Sequence, residues 1–300
     1  MAIKIKNKDI VLVIETAGER YKGSRFDWNG TITQVYFRGI PLLGQEKKLF
    51  YRNAKIYGRG LHNEFGINDC IGYDDAGADG LFPKIGTGWL KKDEKPYFFY
   101  TQYQLEQLKF HLKRPRSDIA EFYCESGEKN GYAYEYKKTI TLLQDGFTID
   151  YELKNVGQKS FATTEYVHNF FCPGLYGKIS NNIELGFGWQ FDVEKLAEKK
   201  DADALETDGK SIIFRKEPEG EFFVGGIFEA KTDGDAIISS WTLKDKRYGL
   251  LITEEDSFVP DGVNLWGHSR AISPEMFFKF SAAPQETVKW QRTYKIKPGY

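Results

Sequence analysis

Methionine, cysteine and histidine are scarce in this chain, and a bulk charge of either sign is missing. The 300 residues hold 2 Met, 3 Cys and 4 His, and 42 Lys and Arg stand against 43 Asp and Glu for a net charge of −1. A near-neutral chain has no overall attraction for nucleic acid or an anionic membrane surface, which leaves a small molecule as the expected partner. Cys70, Cys124 and Cys172 are odd in number and widely separated. They fit reduced thiols better than a disulfide framework, and they lack zinc-site spacing, so no metal is expected. No run approaches the apolar length of a membrane helix, and the charged start passes straight into the apolar run 10–14 without a signal-like core. A cytoplasmic protein is the expectation. Nothing in the sequence speaks to its oligomeric state.

Aromatic residues and glycine are abundant. Aromatics make up 16%, with 23 Phe and 18 Tyr, and 30 Gly punctuate them. That combination predicts many short strands joined by turns. Strands are expected over 10–16, 30–37, 40–43, 100–107, 120–124, 133–143, 211–214, 221–227, 236–243, 248–253, 275–282 and 287–296. Residues 57–78, 81–89 and 260–270 read as loops, the first two glycine-rich, and 193–203 is the one short-helix candidate. With no repeat, linker or low-complexity tract, residues 1–300 read as one all-β domain of two large packed antiparallel sheets.

The most informative stretch runs from Thr141 to Tyr176. Gln144-Asp145-Gly146 marks a hairpin turn. After it Phe147, Ile149, Tyr151 and Leu153 alternate with Thr148, Asp150, Glu152 and Lys154, as in a strand with one wet face. A further strand over 161–171 carries His168, followed by Phe170 and Phe171, and stops at Pro173-Gly174. This run resembles the aldose 1-epimerase (galactose mutarotase) superfamily, in which such a hairpin leads to a strand bearing a histidine and two aromatics. The sequence around Asn29-Gly30 and Phe82-Pro83-Lys84-Ile85-Gly86 is similar to recurrent segments of the same superfamily. Gly60-Leu61-His62-Asn63-Glu64-Phe65-Gly66 resembles its Leu-His-Gly-Gly loop, with Asn63 and Glu64 where glycines stand. The resemblance implies a mutarotase-like β-supersandwich acting on a free sugar, with no cofactor.

Ring opening of a sugar needs one group to take the anomeric hydroxyl proton and another to protonate the ring oxygen. The resemblance implies His168 as the acid and His62 as a hydrogen-bond partner of the sugar. It also implies a glutamate base near the carboxy end, but the aligned strand 276–282 places Phe280 there. Glu275, at a loop or strand start, is the nearest carboxylate and the best substitute. Glu165, on the His168 strand, is the other substitute if a bulge turns it from the opposite face that alternation gives it, and it also counts among the substrate-binding candidates. Arg59, Glu64, Lys84, Trp266, His268 and Arg270 complete the candidate substrate-binding set. Arginine forks suit hydroxyls or anionic substituents, and tryptophan stacks on sugar rings. A phosphate-loop reading of Lys84 fails on glycine spacing, and the loose aspartates 69, 74, 75 and 79 fail the calcium-loop pattern.

Two other functions stay open. A polysaccharide lyase can use Arg59 or Arg270 to hold a uronate, with Tyr166 and His168 for proton transfer. A carbohydrate-binding protein without turnover is consistent with Phe280 at the base position. The isomerase reading requires His62 and His168 to line one ring-sized hollow opposite a carboxylate.

Overall fold

The computed structural model describes residues 2–47, 53–196, 198–200, 202–228 and 239–299. In chain order these form β1 (Ile3–Lys6), β2 (Ile10–Glu15), β3 (Thr31–Phe37), β4 (Ile40–Pro41), β5 (Leu61–Phe65), β6 (Leu81–Lys84), β7 (Gly88–Lys91) and β8 (Leu105–Gln107). There follow β9 (Lys109–Arg116), β10 (Ile119–Glu125), β11 (Tyr134–Leu142), β12 (Gly146–Asn155), β13 (Phe161–Asn169), β14 (Ile183–Phe187), β15 (Glu198–Lys200) and β16 (Leu205–Thr207). The last are β17 (Ser211–Phe214), β18 (Phe222–Gly225), β19 (Ser240–Asp245), β20 (Leu250–Asp256), β21 (Gly262–His268), β22 (Ala271–Ala282) and β23 (Thr287–Pro298).

Two ten-stranded sheets take up nearly all of these strands. The first runs β1-β2-β3-β5-β13-β22-β21-β18-β15 with β4 on β3, and the second β16-β17-β14-β19-β20-β23-β12-β11-β10-β9. The remaining β6, β7 and β8 form a small sheet of their own. The alternation read in 147–154 is the alternation of β12: Phe147, Ile149, Tyr151 and Leu153 are buried, and the residues between them are half-buried. Phe147 stacks on Tyr294, and Tyr151 on Trp290, across the β12–β23 pair. Apolar residues of both sheets share one core, the arrangement expected when each sheet must cover a single apolar face.

Several sequence expectations need correction. Among the described residues there is no helix: within 193–203, Glu198–Lys200 is β15, antiparallel to β18, so sheet pairing overrides the local helical pattern, and 197 and 201 lie outside the described residues. The presumed loop 57–78 contains β5, and 81–89 contains the β6–β7 hairpin, in which Pro83 sits on the edge strand where a missing N–H costs no ladder bond. The presumed loop 260–270 contains β21, whose Val263, Leu265 and Gly267 alternate as buried positions. Glu275 lies inside β22, not at its start. The expected strand over 236–243 begins at Ser240, with 236–238 outside the described residues.

The space between the sheets also holds a polar network. Arg292, fully buried, donates to Glu165 at 2.7 Å, Glu254 at 2.9 Å and Asp256 at 3.3 Å. Lys138, also buried, donates to Asp27 at 2.6 Å and to the Asn63 side-chain carbonyl at 2.8 Å, and the Asn63 amide donates to Glu165. Glu254 further accepts from Trp241 and Asn169. Removing one member of such a set strands charge in a dry interior. We expect Arg292→Met to lower stability in urea unfolding by about 3–5 kcal/mol. Breaking the exposed Lys289–Glu152 pair should change it by less than about 1 kcal/mol.

Candidate active site

The outer face of the first sheet is built by three neighbouring strands. β5 and β13 pair antiparallel with His62 opposite His168 and Glu64 opposite Tyr166. β22 lies on the other side of β13, and β21 follows with Asn264 opposite Glu275 and Trp266 opposite Ser273. Because alternate residues share a face, His62, Glu64, Tyr166, His168, Phe170, Ser273 and Glu275 converge, while Asn63, Glu165 and Asn169 turn to the interior. The entry to β5 is tight: Gly60 has φ +75°, and a Cβ there would sit 2.2 Å from the Ile32 carbonyl oxygen.

His168 and Glu275 face each other, with Nε2 3.4 Å from Oε1. Phe170 stacks on the imidazole with centroids 4.0 Å apart, and Trp266 stands edge-on at 4.8 Å. Burial pushes the Glu275 carboxyl up to about 8, aided by Glu64 and opposed by Arg25 and the hydroxyl of Ser273. Burial, with Arg25, His62 and His268 nearby, holds His168 well below the usual histidine range. Among the described residues no partner meets His168 Nδ1, so nothing on that side favours an imidazolium. Both shifts run toward the neutral form: the carboxyl is held up and the imidazole held down, each mainly by burial. His62, between Tyr21 and Phe26, is likewise held low by burial and by Lys138, Arg59 and Arg25. The two imidazoles thus share one face, but at 1% and 3% exposure they are covered and do not line an open hollow.

The cover centres on Arg25, which sequence reasoning misses. Its Nε donates to Glu64 Oε2 at 2.8 Å, Nη1 to Glu46 Oε1 at 3.0 Å and Nη2 to the Tyr166 hydroxyl at 3.1 Å. Tyr166 in turn donates to Glu64 Oε2 at 2.5 Å, and Glu46 accepts from Tyr100 and from the Gly58 N–H. The rings of Phe26, Phe99 and Tyr100 lie 4.4–4.7 Å from the guanidinium carbon. Burial opposes the charge on Arg25, yet Glu64, Tyr166 and Glu46 together keep its pKa well above the ordinary value. No local signal marks this cluster, because Arg25 is 21 residues from Glu46 and 39 from Glu64. Asn264 and Ser273 escape the sequence as well.

The other sequence candidates scatter. Glu165 is interior, bonded to Asn63 and Arg292. Phe280 packs against Phe278 and Trp290 and does not stand opposite His168, so the alignment that put it at the base position is out of step by a strand face. Lys84 is buried, donating to the Phe65 carbonyl and the Tyr97 hydroxyl. The His268 ring accepts from the Arg270 N–H at Nδ1, which leaves Nε2 to donate to the Gln45 carbonyl at 3.2 Å. Arg59 pairs with Glu15, and with Arg270 it lines a separate cavity of about 240 Å³. Trp266 and Glu64 join the His168 face, and His268, on the same side of β21 as Trp266 with its ring 5.4 Å away, borders it.

Among the described residues there is no group of three or more His, Cys, Asp or Glu that could hold a metal ion, and no helix long and apolar enough to cross a membrane. No family model matches the sequence, and no curated protein matches it. Solved structures do. A galactose mutarotase-like protein from Clostridium acetobutylicum aligns over 99% of this chain and 95% of its own, at TM-score 0.59 and 14% identity. One from Lactobacillus casei aligns over 99% and 100%, at 0.59 and 12%. A GalM/aldose epimerase homologue from C. elegans aligns over 100% and 99%, at 0.57 and 11%. The chain thus has the galactose mutarotase-like fold, spanning the whole length of these neighbours.

Proposed function

We propose that the protein interconverts the anomers of a free sugar by acid–base ring opening on the face shared by β5, β13 and β22. The observation that carries this reading is the contact of His168 with Glu275, two groups able to exchange protons on adjacent strands, set between an aromatic wall and His62. The mutarotase-like names of the structural neighbours agree with it.

The charge states reverse the roles implied by the sequence resemblance. Glu275, as the neutral acid, gives its proton to the ring oxygen. His168, as the neutral base, takes the proton of the anomeric hydroxyl while the bond from C1 to the ring oxygen breaks and the aldehyde forms. The carboxylate and imidazolium left behind stabilise each other, rotation about C1–C2 presents the other carbonyl face, and the two protons return on reclosure. His62 hydrogen-bonds the sugar, and Trp266 packs against its apolar face. The hollow this reading requires is closed in the structure, with Tyr21 packed on His62 and Phe26 on both imidazoles, so entry of a sugar requires these rings to swing aside. The lyase alternative lacks a free guanidinium among the described residues of this face, since Arg25 is committed to Glu46, Glu64 and Tyr166.

Anomer exchange followed by polarimetry or exchange NMR should be accelerated for at least one hexose or pentose; no acceleration across a panel sinks the reading. Glu275→Gln should slow exchange by about 10²–10⁴-fold. The wild-type rate should be level through neutrality and fall as pH rises through about 8, because the acid is then ionised.

The same group leaves a mark on stability. Its folded pKa is raised from 4.5 to about 8, so its contribution is complete below about 4.5 and is lost as pH climbs to 8. Thermal melts of Glu275→Gln between pH 5 and 8 should show a shallower decline than wild type. A protonated-carboxyl carbonyl band in the infrared difference between wild type and variant at pH 6.5 would report the acid directly.

A further inference from the structure

Glu64 is fully buried, and one of its two carboxylate oxygens has no partner among the described residues. Oε2 is saturated by Arg25 and Tyr166, whereas Oε1 accepts nothing. An acceptor left bare in a dry site costs about 1–3 kcal/mol, a cost that a bound donor removes. The rest of the Arg25 cluster is matched. Glu46 takes donors on both oxygens, and Arg25 uses Nε, Nη1 and Nη2. Nδ1 of His62 and Nδ1 of His168, on the same face, are likewise unpartnered.

The position of Glu64 fits a substrate contact. It lies two residues from His62 on β5, about 7 Å along the strand, and opposite Tyr166, the residue two before His168. That separation matches the reach of a hexose ring from its anomeric end to a distant hydroxyl. Two carboxyl groups here face one guanidinium whose fork is already filled, so an incoming anion meets a bare carboxylate oxygen and, among the described residues of this face, no free cation.

We propose that Glu64 is the specificity-determining residue of this site, its Oε1 accepting from a hydroxyl or amine of the ligand, so that the substrate is a neutral or amino sugar and not a uronate or sugar phosphate. This rests on the reading of the face as a sugar site. The chain's own departure from the superfamily's glycine thereby acquires a definite chemical role, in which a donor is required and negative charge is refused.

Titration calorimetry of the wild-type protein with glucose, glucosamine, glucuronate and glucose 6-phosphate, and with the corresponding galactose series, tests it without any substitution. The expected result is binding of the neutral or amino members, with the two anionic members at least about tenfold weaker. Glu64→Gln, checked for folding by its thermal melt, should weaken the neutral sugar roughly tenfold and narrow the difference between neutral and anionic members. Equal binding by wild type and a folded Glu64→Gln would mean that Oε1 holds only a water, and would overturn the proposal. Anomer exchange with a preference for the anionic sugars would overturn it while leaving the isomerase reading intact. Binding of the neutral series without exchange would do the reverse, and no binding by any member would overturn the proposal, leaving the isomerase reading to the wider panel of hexoses and pentoses.

Discussion

The pairing of β5 with β13 is the constraint on which the other features depend. Both strands are covered on their two faces, and both place polar residues on each. His62, Glu64, Tyr166 and His168 look outward to the candidate site, while Asn63, Glu165 and Asn169 look inward to the ion network. Most buried polar groups have a partner, and the two sides draw theirs from different sets: Arg25 with its aromatic cover outside, where Glu64 Oε1 is left bare, and Arg292 and Lys138 inside. Asn63 sits between His62 and Glu64 in sequence, and its amide ties Lys138, Tyr151 and Glu165 together. The site residues are therefore held by a strand whose opposite side is pinned to the second sheet.

That arrangement accounts for the electrostatics. Cations stand on both sides of β5, and together with burial they make an imidazolium unfavourable at His62. Glu275, by contrast, meets the Ser273 hydroxyl and the His168 ring, and the opposing charge of Arg25 does not outweigh burial, so its carboxyl is held up. The inner network is the kind of ionic core that adds less to net stability than its geometry suggests, because desolvation offsets much of the attraction. Its effect is to fix register: Arg292 can meet Glu165, Glu254 and Asp256 only if β13, β20 and β23 are aligned as they are.

The sheet architecture was largely legible in the sequence. Where one face was wet, as in β12, alternation marked the strand; where both faces were covered, as in β5, the pattern vanished and the segment read as a loop. β21 was misread for a related reason, since glycines and polar residues around Trp266 mask its alternation. The site was legible in part. His62 and His168 could be paired through their resemblance to known segments, and Glu275 was named, though at a loop or strand start and not within the strand. Arg25 could not be found this way, because its carboxylate partners are distant in the chain and join it only on folding. The displaced alignment at Phe280 has a simple physical origin: a shift by an odd number of residues changes which side of a strand a side chain occupies.

The same parity governs how this chain can vary. Because neighbouring residues of β5 and β13 serve opposite compartments, inserting or deleting a single residue there would turn His62 and His168 into the ionic interior and bring the interior's charges to the candidate-site face. Exchanging one letter for another carries no such penalty. Tolerance of spelling combined with intolerance of miscounting is what allows architectures that share 10–14% of their residues to superpose along their entire length.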